Sequence, residues 1–230
     1  MENLFNKMFP LKCINCGEMG EIICDNCLYD CDLLTTQFCI VCNKPSFYGF
    51  THKECLEKNR YAPRQIISIY KYADTIRSCI KTSKYGSKQF ITLKKITYEG
   101  IRILNEWGFE FKDFICLPVP SSKGKYIKRG FNQSEIITEI FCKKLNLKME
   151  NSILNREKET DAQFTLGKKD RFKNVQNAFK VCKDIKGKNI VLVDDIVTSG
   201  ATLLEISKVL YENGANRVKC FTLSKKFKDR

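Results

Sequence analysis

The sequence predicts an α/β fold, a mainly parallel sheet flanked by helices, preceded by a small metal-held module. Three observations carry this. Eight of the thirteen cysteines lie between Cys13 and Cys55, whereas Cys79, Cys116, Cys142, Cys182 and Cys220 are scattered singly. From residue 66 onward, apolar runs of strand length alternate with segments whose apolar residues recur at helical spacing. One run, Val191-Leu192-Val193, meets two adjacent acids, Asp194 and Asp195, and then a turn rich in Thr, Ser and Gly.

Taken in order, residues 1–58 are cysteine-rich, with short apolar stretches and no helical period. Metal rather than a core is expected to hold so short a segment. Tyr61-Ala62-Pro63-Arg64 is expected to be a linker, and residues 64–230 the α/β domain. Ile66–Tyr70 is the first expected strand, followed by helices over Thr75–Lys84 and Phe90–Trp107. Phe114–Pro120 is a buried strand ending in prolines, and Ser121–Arg129 a basic loop. Gln133–Leu145 is an amphipathic helix, with Asn132 and Ser134 as favoured capping residues. Asn189–Val193 is a second buried strand. Thr202–Asn213 is a helix with Leu203, Ile206, Val209 and Leu210 inward, stopped by Gly214. Arg217–Leu223 is the last strand. Strands alternating with helices argue for parallel pairing.

The chain of 230 residues suits one medium domain plus a small appendage. No run approaches the roughly 18 apolar residues of a membrane span, and residues 1–7 lack a secretory leader pattern. A cytoplasmic setting is expected, where cysteines stay reduced. The net charge of +14 favours anionic partners. The bias toward lysine, asparagine and isoleucine is also that of an AT-rich coding sequence. The charge therefore permits nucleic-acid binding without establishing it.

The front segment contains Cys13-x-x-Cys16, Cys24-x-x-Cys27, Cys39-x-x-Cys42 and His52-x-x-Cys55. Two residues between ligands let both side chains reach one ion, and two such pairs complete a tetrahedron. Four pairs make two sites. The first is assigned to Cys13, Cys16, Cys24 and Cys27, the second to Cys39, Cys42, His52 and Cys55; spacing alone leaves an interleaved pairing open. With no open coordination position these are structural zinc sites, favoured over an iron–sulfur cluster by the histidine. His52 is the only histidine. Cys31 is a spare or buried thiol, and the five scattered cysteines are core residues. Between Cys16 and Cys39 the module carries Glu18, Glu21, Asp25, Asp30 and Asp32, a poor phosphate binder suited to structural or protein contacts.

In the stretch Val191–Thr202 each part has a physical role. Ligands of such sheets sit at the carboxyl ends of strands. The turn Thr198-Ser199-Gly200-Ala201-Thr202 and the helix start behind it offer backbone N–H groups and a positive dipole end to a phosphate. Gly200 permits close approach. Asp194 and Asp195 suit the hydroxyls of a ribose diol and can help hold Mg²⁺ there. Ser121–Arg129 lies beside another strand's carboxyl end, where Lys125 and Arg129 suit a second, pyrophosphate group. Arg156 and Arg171 flank a polar segment able to close over a ligand, or make surface salt bridges.

This string resembles the signature of type I phosphoribosyltransferases, with Ser199 in place of a threonine. The wider order is similar to the ComF family: Leu117-Pro118-Val119-Pro120, then Arg129-Gly130-Phe131-Asn132-Gln133, then Arg156, Thr160, Gln163, Leu166, Arg171, Asn174, Ala178 and Phe179, then the acidic motif, all behind a cysteine-rich front. The resemblance implies a type I phosphoribosyltransferase fold behind a double zinc ribbon. It implies that Asp194 and Asp195, also the catalytic candidates, contact the ribose of phosphoribosyl pyrophosphate, and that Thr198, Ser199, Gly200, Ala201 and Thr202 hold its 5′-phosphate. It further implies a role in DNA uptake and natural transformation, handling single-stranded DNA beside a helicase and recombination proteins. The alternative is an active transferase placing the phosphoribosyl group on a base or amine; no segment names the acceptor.

Overall fold

A computed structural model of the chain describes residues 11–85, 90–158 and 168–227. Its strands are β1 (Gln65–Lys71), β2 (Phe114–Pro118), β3 (Lys148–Met149), β4 (Leu154–Arg156), β5 (Phe179–Val181), β6 (Asn189–Val197) and β7 (Arg217–Lys225). The described helices of one turn or more are α1 (Asp25–Tyr29), α2 (Lys53–Lys58), α3 (Asp74–Tyr85), α4 (Ile91–Glu106), α5 (Lys123–Arg129), α6 (Gln133–Leu145), α7 (Lys168–Val175) and α8 (Ala201–Glu212). None is long and apolar enough to cross a membrane.

Five strands form one sheet in the order β1-β7-β6-β2-β3, every neighbouring pair parallel. β4 and β5 pair antiparallel in a separate small sheet. The two-residue period of a strand sends alternate side chains to opposite faces, and here it builds two cores. Ile67, Ile69, Cys116, Val191, Val193, Phe221 and Leu223 join α4 and α6 on one face. Ile66, Leu117, Ile190, Leu192, Val218 and Cys220 join α8 on the other. Continuous apolar runs such as Ile190–Val193 are what a sheet covered on both faces requires.

From β2 the chain passes through α6 to β3, toward one edge. From β6 it passes through α8 to β7, toward the other. The connections diverge between the neighbouring strands β2 and β6. A crevice opens at the carboxyl ends of such a pair, where ligands of open α/β sheets bind.

Several expectations need correction. β6 runs to Val197 rather than stopping at Val193, because its β7 side stays paired through Asp194↔Thr222, Ile196↔Ser224 and Val197↔Lys225. Its β2 side stops pairing at Val193↔Pro118. The acids are thus part of a strand ladder on one side only. Residues 123–129 form α5 instead of a loop, started at Ser122 and closed by Gly130 in the left-handed region. Cys182 is exposed, unlike the other four scattered cysteines, which are buried. Val209 is half-buried, and Leu204 and Ser207 take the inward positions beside Leu203, Ile206 and Leu210.

Tyr61–Arg64 is no loose linker. Ala62 is fully buried, Arg64 N–H donates to the Val218 carbonyl at 2.7 Å, and Thr51 N–H donates to the Arg64 carbonyl. Metal is not the sole support of the front module either. Ile22, Ile23 and Cys31 belong to one sheet core and Ile40 to the other. Residues 32–37 run along the outer edge of β1: Leu34 N–H donates to the Ile69 carbonyl, Lys71 N–H to the Asp32 carbonyl, and buried Gln37 bonds Ser68 through both backbone groups. The module therefore covers a sheet edge that would otherwise present unpaired backbone groups. Its acids take part: Lys95 of α4 bridges Glu21, Asp25 and the Ile23 carbonyl, and Lys71 meets Asp32.

Candidate functional site

Asp194 and Asp195 stand at the mouth of the crevice. Asp195 is buried and Asp194 half-buried. The Ser134 hydroxyl, on the first turn of α6, donates to Asp194 Oδ1 at 2.7 Å, and the backbone N–H of Asp195 donates to the same oxygen at 2.9 Å. Asn132 makes this possible by fixing the helix start: its side chain accepts the Ser134 N–H and donates to the Val119 carbonyl beside β2. Gln133 ties the same turn to α3 through the Ile80 carbonyl and the Ser83 hydroxyl. Burial pushes the Asp194 carboxyl up and the neighbouring Asp195 pushes it further. The bonds from Ser134 and from the Asp195 backbone oppose this, leaving Asp194 at about 7 against an ordinary 3.8. Such a carboxyl is poised to ionise when a cation or a metal-bearing diol arrives.

The turn after β6 carries Thr198, exposed, and Ser199, half-buried. Ser199 Oγ accepts the Ala201 N–H at 3.4 Å. Gly200, the N-cap residue of α8, stands at φ +77° and has no side chain of its own to cap the helix. A left-handed conformation here is readily adopted only by glycine, and the helix start points its first-turn N–H groups at whatever anion enters. Thr202 follows on the first turn, half-buried.

Lys125 and Arg129 lie on α5, immediately after the carboxyl end of β2 and so at the same end of the sheet as the acids. Arg129 donates to Gln133 Oε1 at 3.5 Å. Arg156 sits on β4 with its guanidinium 5.4 Å from the centre of the Phe179 ring. Thr160, Gln163 and Leu166 lie outside the described residues, as does the side chain of Arg171. A cavity of about 470 Å³ opens beside β2, lined among others by Pro118, Lys123, Tyr126, Glu135 and Asn155.

In the front module the ligand atoms of Cys13, Cys16, Cys24 and Cys27 lie within 4.8 Å of one another, and so do those of Cys39, Cys42, His52 and Cys55. The two quartets are consecutive in sequence, not interleaved. Their surroundings fit a thiolate-bound metal. Burial raises the Cys13 thiol, but backbone N–H groups of Cys16, Cys24 and Asn15 outweigh it and bring it down to about 6. Asn15 Nδ2 donates to Cys27 Sγ at 3.3 Å. His52 Nε2 is 3.2 Å from the Pro45 carbonyl, so a proton there leaves Nδ1, 3.3 Å from Cys42 Sγ, as the ligating nitrogen. Cys31 takes no part: it is buried, donates to the Cys27 carbonyl, and burial pushes its thiol up to about 12.

The Ser134–Asp194 bond is not foreseen by any spacing in the sequence. Its one signal was a first turn, Asn132-Gln133-Ser134, more polar than a cap alone requires.

A family profile for the phosphoribosyl transferase domain matches residues 136–230, the stretch that holds the acids and the turn. Competence protein F of Haemophilus influenzae is 33% identical over 112 residues, 47% of this chain and 49% of that protein. Competence protein ComFC of Bacillus subtilis is 25% identical over 223 residues, covering 88% and 84%. The chain is a homologue of the ComF proteins. DNA utilization protein YhgH of Escherichia coli O6:H1 is similar too, 33% identical over 116 residues, 50% of this chain and 51% of that protein. The match spans about half the length of the Escherichia and Haemophilus relatives. This ComF homologue therefore pairs a phosphoribosyl transferase domain on a parallel sheet with two N-terminal clusters able to hold metal.

Proposed function

We propose that this ComF homologue binds phosphoribosyl pyrophosphate with Mg²⁺ in the crevice between β2 and β6, and that it handles single-stranded DNA during uptake in the cytoplasm. The observation carrying the ligand is the pair Asp194–Asp195 at the point where the chain diverges, with the start of α8 six residues beyond Asp195. Thr198–Thr202 hold the 5′-phosphate. Asp194 and Asp195 take the ribose hydroxyls, and Ser134 orients Asp194. Lys125 and Arg129 meet the pyrophosphate. Asp194 and Asp195 would help hold Mg²⁺, which would supply neutralisation of the phosphate charge. The two cysteine-rich quartets each hold a structural zinc.

Two observations support the DNA half. The chain carries +14. Exposed Phe47 and Tyr48 continue through Phe109 to Trp107, with neighbouring ring centres 4.6, 5.3 and 6.4 Å apart, beside a groove of about 600 Å³. Aromatic faces stack unpaired bases with little regard to sequence, at about 1–3 kcal/mol per base. The expected result in gel shifts is single-strand binding that weakens steeply with salt. Phe47→Ala/Tyr48→Ala should weaken it by about tenfold or more while leaving the melting temperature unchanged. Equal binding by wild type and variant removes the rings from the account.

The cavity beside β2 favours a second reading. Glu135, Asn132 and Asn155 line a space of about 470 Å³ next to the proposed pyrophosphate residues, where a base or amine acceptor would fit. Release of pyrophosphate on adding a candidate acceptor, lost in Asp194→Ala/Asp195→Ala, would show transfer. No release with any nitrogenous acceptor leaves binding alone.

A further inference from the structure

The second cysteine–histidine quartet lies directly against the phosphate turn. Its first pair brackets the turn Cys39-Ile40-Val41-Cys42. That turn is closed by Asn43 N–H donating to the Cys39 carbonyl and Cys39 N–H donating to the Lys44 carbonyl, both at 2.9 Å. Ile40, 6% exposed, faces the sheet and packs with Ala201, Leu203 and Leu204 of α8. A Cβ built on Gly200 would lie 2.9 Å from Ile40 Cγ1 and 3.3 Å from the Ile40 carbonyl oxygen. The two backbones are therefore in near contact, with no space for rearrangement between them.

A second contact holds the same turn from the sheet side. Phe38, the residue before Cys39, packs edge-on against Phe227 with ring centres 5.1 Å apart, and Lys225 Nζ lies 5.5 Å from the centre of each ring. Lys225 is the β7 partner of Val197, the last residue of β6 before the phosphate turn. Lys226 N–H donates to the Val197 carbonyl at 2.9 Å. The Cys39–Cys42 turn thus touches the cradle at Gly200 and abuts its entry at Val197.

We infer that Ile40 is a positioning residue of the phosphate cradle, so that metal occupancy of the Cys39–Cys42–His52–Cys55 quartet and the order of Thr198–Thr202 are thermodynamically linked. An ion at this quartet fixes Cys39 and Cys42, and with them the one or two bonds of chain that carry Ile40. Without the ion the four ligand atoms lose their common bond and the turn relaxes. Gly200 then loses the wall that Ile40 sets beside its left-handed conformation. Among the described residues the first quartet's apolar contacts are with the opposite face, through Ile22 and Ile23. Linkage is reciprocal, so a ligand that orders the cradle must also tighten metal at the second quartet.

The test is amide hydrogen exchange on the zinc-loaded full chain, compared with Cys55→Ala, which weakens the second site, and Cys16→Ala, which weakens the first. Loss of the second ion should speed exchange over residues 198–204 by about tenfold or more, with β7 and α6 still protected. Loss of the first should leave residues 198–204 unchanged. Ile40→Ala with both ions retained should reproduce the acceleration, which keeps the test decisive should Cys55→Ala fold poorly. Equal exchange over residues 198–204 in wild type, Cys55→Ala and Ile40→Ala would overturn the inference. The ligand arm rests on the reading of the crevice as a phosphoribosyl pyrophosphate site. Mg²⁺ and phosphoribosyl pyrophosphate should slow chelator extraction of one of the two zinc ions by about 5-fold or more. If the sugar phosphate does not bind at all, the ligand reading fails while the exchange result still decides the coupling.

Discussion

With zinc loaded at both quartets, stripping it with a strong chelator is expected to lower the melting temperature of the whole chain by about 10 °C or more. Structural zinc contributes apparent binding free energies of about 10–16 kcal/mol in small fingers, comparable with the whole folding stability of a domain, about 5–15 kcal/mol. Here the effect does not stop at the ribbons. Ile22 and Ile23 pack in the core with Ile67, Val191 and Phe221, and Ile40 packs with α8. Residues 32–37 satisfy the backbone of β1 along its open edge. Unfolding the module therefore uncovers both sheet faces and an edge strand. Melting followed by circular dichroism, with metal content measured on the same samples, checks this. An unchanged transition in metal-free protein would contradict it.

Asp194→Asn is expected to stabilise the ligand-free protein while destroying its ligand site. The Asp194 carboxyl sits at about 7 in the folded chain and at 3.8 in an ordinary setting. Between those values the folded state holds a proton that the unfolded state has released, so unfolding free energy falls as pH rises through this window. Above pH 7 the full penalty is present, on the order of 2–4 kcal/mol. Asparagine removes it, so the variant should melt higher than wild type at pH 8, and the difference should shrink toward pH 4. Wild-type binding of Mg²⁺ and phosphoribosyl pyrophosphate should weaken by up to tenfold per pH unit below about 7, since the proton must leave Asp194. A variant melting lower than wild type at pH 8 would show that the carboxylate stabilises the fold and is not held there for a ligand.

Much of this was legible in the chain. Ile66–Tyr70 and Ile190–Val193 announce strands buried on both faces, because no polar residue alternates with their apolar ones apart from Ser68, which pairs with Thr222 inside the sheet. The Cys-x-x-Cys spacing delivered both quartets, since two intervening residues suffice to aim paired ligands at one point. The acids and the turn were visible as residues but not as geometry. That β6 continues to Val197 depends on β7, whose pairing lies some thirty residues away and leaves no local trace. The helix α5 was hidden by Gly124 and by a run of cations that suit a loop as well as a helix; Ser122 and Gly130 were its only markers. The contacts Ser134–Asp194 and Ile40–Gly200 join residues 60 and 160 apart. Nothing in local pattern encodes such pairs; the fold alone brings them together.

Asp194, Asp195 and the turn behind them are proposed above to form a phosphoribosyl pyrophosphate site. Titration calorimetry of the zinc-loaded chain with phosphoribosyl pyrophosphate and Mg²⁺ at pH 8 tests it most directly. Saturable heat with one site per chain is expected in wild type, and no heat in Asp194→Ala/Asp195→Ala of unchanged fold. Absence of heat in wild type, or equal affinity in the double variant, would contradict it.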